Sequence, residues 1–176
     1  LVARDSRFHG SEFIKTTSIV LAQLNRNVIN CGIIPTPTAQ FLVDKNKYAG
    51  GIVITASHNP IEWNGLKFID KDGCFLDSFQ NTQLFEIVNK KQSHPILETG
   101  TIIENTNAFE EHIKHTLQLS SINAKCIIKR NFKVVIDAVN GAASLALPKM
   151  LESLGCDVIP INCDPNSDFP RGAEPL

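Results

Sequence analysis

Surplus charge of either sign is almost missing from this chain of 176 residues: 17 Lys plus Arg stand against 18 Asp plus Glu, for a formal net charge of −1. With no cluster of Lys or Arg either, the chain lacks the electrostatic footprint of a nucleic-acid binder, and no nucleic-acid partner is expected. Long apolar runs are missing too. Stretches such as Ile52-Val53-Ile54 are far too short to cross a bilayer, and no basic segment leads into an apolar one at the start, as a secretory signal requires. No membrane partner and a cytoplasmic location are therefore expected. The five cysteines, at 31, 74, 126, 156 and 163, lack any C-x-x-C spacing, which favours reduced thiols over a zinc site or a disulfide framework. No repeat or low-complexity tract stands out, and 43% apolar with 20% charged residues is a globular composition. At the ends, Leu1-Val2-Ala3 already reads as a strand, and the chain stops in loop chemistry from Phe169 to Leu176. A piece of a longer protein is the expectation.

What is present is an alternation of strand-like and helix-like segments, the pattern of an α/β fold. After the first strand, Arg4-Asp5-Ser6-Arg7 makes a polar loop ending at Gly10, and Ser11 can cap a helix running to about Asn27. Its apolar stripe is Phe13, Thr17, Val20, Leu21, Leu24 and Val28. A strand over 28–34 follows. Thr36 then serves as N-cap and Pro37 as first residue of a short helix that buries Phe41 and Leu42. Ile52 to Thr55 is apolar enough for a strand buried on both faces. Asn64-Gly65 turns the chain into a strand over 66–69, stopped by Asp72-Gly73. Two helices are predicted next: one over about 77–91 with Leu84, Ile87 and Val88 inward, one over about 107–119 with Phe109, Ile113 and Leu117 on one stripe. A loop over 92–98, marked by Pro95, separates them. A boundary near 125–131 opens a fresh β-α-β unit: a strand at 132–137, a helix with Ala143, Leu147, Met150, Leu151 and Leu154 inward, and a strand at 158–161. Pro148 leaves the start of that helix open.

The segment that asks for chemistry is Thr55-Ala56-Ser57-His58-Asn59-Pro60, at the end of a buried strand, where open α/β sheets place their ligands. Lys67 follows in an otherwise apolar strand and has to reach the surface or meet an anion. A serine hydrolase is a weak reading, because the G-x-S-x-G elbow is absent and adjacent residues in extended chain point to opposite sides. Phosphoryl chemistry at Ser57 is the second reading, with Lys67, Arg4 and Arg7 as the cations a phosphoserine needs. The third is a loop in which Ser57 and Asn59 only make turn hydrogen bonds. Glu111, His112 and His115 share one helix without an H-E-x-x-H spacing and read as a solvated face. Asp137 with Asn140-Gly141 lacks G-x-G-x-x-G and reads as a turn.

The segment from Gly51 to Pro60, followed by Trp63-Asn64-Gly65-Leu66-Lys67-Phe68, resembles the serine loop of the α-D-phosphohexomutases: phosphoglucomutase, phosphomannomutase and phosphoglucosamine mutase. Arg4-Asp5-Ser6-Arg7 with Gly10 is similar to that family's G-[RK]-D-x-R-x-S-G segment, with Ala3 in place of the first Gly and His9-Gly10-Ser11 departing from the usual order. Gly32 to Thr38, Asp137 to Gly141, Gly155-Cys156, and Phe169-Pro170 with Glu174-Pro175 follow in family order.

The resemblance implies a mixed, mostly parallel sheet flanked by helices (family domain I, residues 1–128) and the beginning of a second, similar domain (residues 129–176). It implies an intramolecular phosphotransferase that interconverts hexose 1-phosphates and hexose 6-phosphates through a phosphoserine at Ser57 and a bisphosphorylated sugar that reorients between two transfers. Ser57, His58 and Lys67 would be catalytic, and Asn59 and Arg7 would bind phosphate or hold the loop. One phosphoserine oxygen at Ser57 would bind Mg²⁺. The remaining ligands belong to an Asp-x-Asp-x-Asp motif that is absent here, as is the sugar-reading loop. The expected partners are a phosphorylated hexose and the remaining domains of the same protein, and the 176 residues alone should be inactive. A non-catalytic sugar-phosphate-binding module is the alternative, against which Ser57 and Lys67 speak.

Overall fold

A computed structural model describes residues 1–91, 95 and 99–173. Of the loop expected at 92–98 only Pro95 is among them, and Glu174-Pro175 lies outside the described residues. Five strands form one sheet: β1 (Val2–Arg4), β2 (Val28–Ile33), β3 (Gly50–Ile54), β4 (Leu66–Asp70) and β5 (Ile102–Glu104), in spatial order β4-β3-β1-β2-β5. Only β4 runs antiparallel, paired with β3 so that Val53 faces Lys67 and Ile54 faces Leu66. The helices are α1 (Gly10–Gln23), α2 (Thr36–Lys45), α3 (Ser78–Asn89), α4 (Ala108–Thr116) and α5 (Ala124–Arg130). A second, parallel pair, β6 (Lys133–Asp137) and β7 (Asp157–Ile161), is bridged by α6 (Ala146–Ser153). The expected mixed, mostly parallel α/β architecture, with the opening β-α-β of a second unit, is what forms.

The alternation of the strands sorts the core. Val2 joins Ile14, Val28 and Ile54 on the α1 side of the sheet, whereas Ala3 joins Ile34, Ala39, Leu42, Val43, Val53 and Ile69 on the α2 side. Val2, Leu42, Val43 and Ile54 are completely buried, each contributing about 1.5–3 kcal/mol of transfer free energy.

Several local expectations are corrected. Helix α1 buries Gly10, Ile14, Ser18 and Ala22, one residue in four, while Phe13 and Val20 of the expected stripe are exposed. Small side chains let the helix close onto the sheet, and the Ser18 hydroxyl is satisfied by the Ile14 carbonyl at 2.7 Å. Ser11 lies inside this helix, whose N-cap is His9. In α2 the N-cap is Pro35 in an extended conformation, so Thr36 begins the helix and Pro37 sits second. Helix α3 buries no residue: Ile87 and Val88 point out, and an Asp77–Gln80 capping box defines its start. Helix α6 begins two residues before Pro148, whose missing N–H falls in the first turn and costs nothing. Strand β5 and helix α5 are additions to the expected elements. Gly73 closes the turn after β4 with φ +75°, and a Cβ there would stand 2.7 Å from the Gln40 carbonyl oxygen.

Candidate active site

Strands β1 and β3 run parallel, with Arg4 paired to Ile54, so the loops leaving both strands rise side by side at one edge of the sheet. The pairing extends one step further, because the Asp5 amide donates to the Ile54 carbonyl at 3.0 Å. Asp5 and Thr55, fifty residues apart, thereby face each other in a buried position. The Asp5 carboxylate accepts from the Thr55 hydroxyl at 2.6 Å, from Arg7 Nε at 2.9 Å and from the Arg7 amide at 3.0 Å. The Thr55 oxygen in turn accepts from the Ser57 amide at 3.0 Å. A continuous chain of hydrogen bonds therefore runs from the end of β1 to the backbone of Ser57.

Arg7 closes the other side. Its side chain is fully buried, and all five of its N–H groups have acceptors. Nε meets Asp5. One terminal nitrogen donates to the Pro60 and Trp63 carbonyls, and the other to the Ser57 carbonyl at 2.9 Å and the Asn59 carbonyl at 2.7 Å. A guanidinium spent in this way holds the loop and has no N–H left for a phosphate. The phosphate contact expected of Arg7 is therefore not what this geometry provides, while the loop-holding role is. Burial of the ion pair makes the arrangement costly to interrupt, since an unpaired charge left inside costs about 3–5 kcal/mol.

Ser57 is exposed at the crest of this loop, with φ +57°. For a residue with a Cβ the left-handed region costs on the order of 1–3 kcal/mol and persists only where surroundings over-determine it, as the Thr55 and Arg7 bonds do here. Asn59 is exposed, and its side-chain amide is turned back onto the Ala56 carbonyl at 2.8 Å. His58 lies beside it on the exposed crest. Lys67 stands one residue into β4, where its ammonium lies 5.7 Å from the Phe75 ring. Arg4 donates to the Asp5 carbonyl at 2.9 Å, and burial lowers its pKa against the pull of Asp5.

Of the expected site residues, Ser57, Asn59 and Arg7 thus belong to one network. Asp5 and Thr55, its core, lie in segments the sequence singles out but receive no role of their own there. A hydroxyl ending an otherwise apolar strand is the available signal. The His112 face expected to be solvated is instead half-buried: its ring stacks on Phe41 at 4.7 Å and Nδ1 shares a 3.0 Å hydrogen bond with Thr38. Burial first, and then the neighbouring His115, lower the His112 pKa. All five cysteines are free, and burial pushes the Cys31 thiol up to about 12, so it offers no thiolate near neutrality. Among the described residues no group of three or more His, Cys, Asp or Glu is placed to hold a metal ion, and no helix is long and apolar enough to cross a membrane. A groove at the opposite end of the strands, lined by Leu21, Gly51, Ile52 and Phe68, contains none of the candidate residues.

Comparison with known proteins bears on this geometry. The description of a phosphoglucomutase/phosphomannomutase alpha/beta/alpha domain I matches residues 1–95, and that of domain II of the same family matches residues 109–176, which takes in α4 and α5. A probable phosphoglucosamine mutase of Methanopyrus kandleri is 31% identical over 175 residues, 99% of this chain and 37% of that protein. A phosphoglucomutase/phosphomannomutase of Thermococcus kodakarensis is 36% identical over 181 residues, 99% of this chain and 38% of that one. The crystal structure of a putative phosphomannomutase from Thermus thermophilus superimposes with a TM-score of 0.83 at 27% identity, covering 99% of this chain and 40% of the other. The chain spans less than two-fifths of the length of these curated relatives.

Proposed function

The chain belongs to the phosphoglucomutase/phosphomannomutase family, and from that premise we propose that in its full-length protein Ser57 carries a phosphoryl group and exchanges it with a phosphorylated hexose. The observation that supports this reading best is the exposed Ser57 on a loop whose carbonyls are gripped by a buried Arg7. Phosphoryl transfer demands positioning and charge compensation more than covalent machinery, and a clamped hydroxyl at a strand end supplies the first.

In the forward step the bond from phosphorus to Ser57 Oγ breaks as a bond from phosphorus to a sugar hydroxyl oxygen forms; the sugar hydroxyl gives its proton to a base, and the departing Ser57 Oγ takes one up to become a free hydroxyl. His58, the neighbour of Ser57 in the chain, is the candidate base, and Lys67 supplies positive charge and a proton for the departing oxygen. The sugar then bears two phosphates. After it turns over, the other phosphate returns to Ser57, so the net change is the position of one phosphate on the sugar. Asn59 and Arg7 keep the loop still while charge develops. Magnesium belongs to this reading as a charge neutraliser. Ser57 would give it one phosphate oxygen, but the described residues do not complete a metal shell, and the steps above rest on this chain's own groups. The division of the chain at about residue 128 and the presence of further domains in the full-length protein are part of the same proposal.

The test is Ser57→Ala in the full-length protein. Isomerisation of a hexose 1-phosphate should fall by about 10³-fold or more, and intact-mass analysis of the unsubstituted protein should find one phosphate on Ser57. Undiminished turnover in the variant overturns the reading.

A further inference from the structure

We propose that Phe169 and Ser167, which belong to the second unit, are positioning residues for the Ser57 loop, acting through the buried Arg7 clamp. The inference rests on the phosphoserine reading, but its geometry stands independently. Phe169 covers the guanidinium of Arg7, with the Arg7 carbon 5.3 Å from the ring centroid. Two residues earlier, the Ser167 hydroxyl donates to the carbonyl of Ser6, the neighbour of Arg7, at 2.6 Å. Asp5 therefore pins this short stretch from within, and the second unit pins it from outside.

The segment bearing the two residues is organised by its own unit. Asn140 is buried, and its side chain brackets the loop by donating to the Asp168 carbonyl at 2.8 Å and accepting from the Asp164 amide at 3.0 Å. Its backbone amide donates to the Asn162 carbonyl at 2.6 Å. Asn166 holds the Asp168 amide, and Asp137 binds both the Asn162 side chain and Arg171. Val139, Asn140, Asn162 and Ser167 all take left-handed backbone, and for the β-branched Val139 that conformation persists only where the surrounding bonds hold it. A segment so determined delivers Ser167 and Phe169 to the first unit as a preset strap.

Its physical effect is on water. The N–H groups of Arg7 bind carbonyls of the serine loop, and those bonds strengthen where solvent is excluded. An aromatic face over a guanidinium excludes solvent while attracting the cation. Without the ring, water reaches the clamp, the loop gains freedom, and the fraction of Ser57 held ready for transfer falls. Sugar-phosphate binding is untouched, because the strap contacts the clamp and not the exposed crest.

The experiment uses the full-length protein with Phe169→Ala, Phe169→Tyr and Ser167→Ala, read by amide hydrogen exchange and by steady-state kinetics with a hexose 1-phosphate. Phe169→Ala should raise exchange across residues 56–64 by about tenfold and lower kcat by a similar factor. KM should be unchanged and α2 exchange unaffected. Phe169→Tyr, which keeps the ring, should restore both, and Ser167→Ala should give a smaller change in the same direction. Should Phe169→Ala loosen α2 as well, the Ser167→Ala and Phe169→Tyr results decide. Unchanged exchange at 56–64, or raised exchange with unchanged kcat, overturns the proposal. Failure of the phosphoserine reading would show instead as full activity in Ser57→Ala, leaving the exchange result standing.

Discussion

The loop carrying Ser57 and the helix α3 are both exposed, and they are held by opposite physics. Residues 57–60 of the loop lie open to solvent, yet the carbonyls of Ser57, Asn59 and Pro60 are held by the buried Arg7 and the Ser57 amide by the buried Thr55. Helix α3 has well-formed ends, with the Asp77 side chain accepting from the Gln80 amide at 2.8 Å and Gln80 returning the bond at 2.9 Å, but no residue reaches the core. Phe79, Phe85, Ile87 and Val88 are each more than half exposed. Exposure is therefore no measure of looseness. What separates the two segments is how deep their attachments go.

The comparison breaks or sharpens most strongly at Arg7. Arg7→Ala in the 176-residue chain should lower stability in urea by about 3–5 kcal/mol, because it strands the Asp5 carboxylate and four carbonyls. Arg7→Lys should recover only part, since an ammonium lacks the planar fork. A loss below about 1 kcal/mol would place the loop and α3 in the same class. Next comes the helix cap: Asp77→Ala should cost about 0.5–2 kcal/mol, with hydrogen exchange rising within α3 alone. The smallest effect is expected at the α2–α4 joint, and it depends on pH. Burial and His115 lower the His112 pKa in the folded state, so the unfolded chain binds the proton more readily. Stability should therefore fall as pH drops below the ordinary value of 6.5. His112→Gln should flatten that part of the pH–stability curve measured by thermal unfolding.

Much of this is legible in the chain itself, for local reasons. The strand over 52–55 and the turn at Asp72-Gly73 announce themselves by apolar runs and turn chemistry, and the Ser57 loop by its stiff polar sequence at a strand end. The buried face of α1 escapes a reading by hydrophobicity, because close packing on the sheet selects Gly10, Ser18 and Ala22 for size. Strand β5 is three exposed residues that pair with β2, a fact only register reveals. The Asp5–Thr55 bond and the four Arg7 bonds to loop carbonyls join residues about fifty positions apart, and no local pattern encodes such a meeting. The strap from the second unit is more remote still, with Ser167 and Ser6 separated by 161 positions.

The left-handed backbone at Ser57 also filters which alcohol can sit there. Threonine carries a hydroxyl of similar reactivity, but its β-branch makes φ near +57° an outlier that the surrounding bonds would have to force. The two side chains, interchangeable in so many hydroxyl roles, are thus unequal at this crest. The main chain rather than the chemistry of the oxygen makes the choice, and a primary alcohol is what the turn admits.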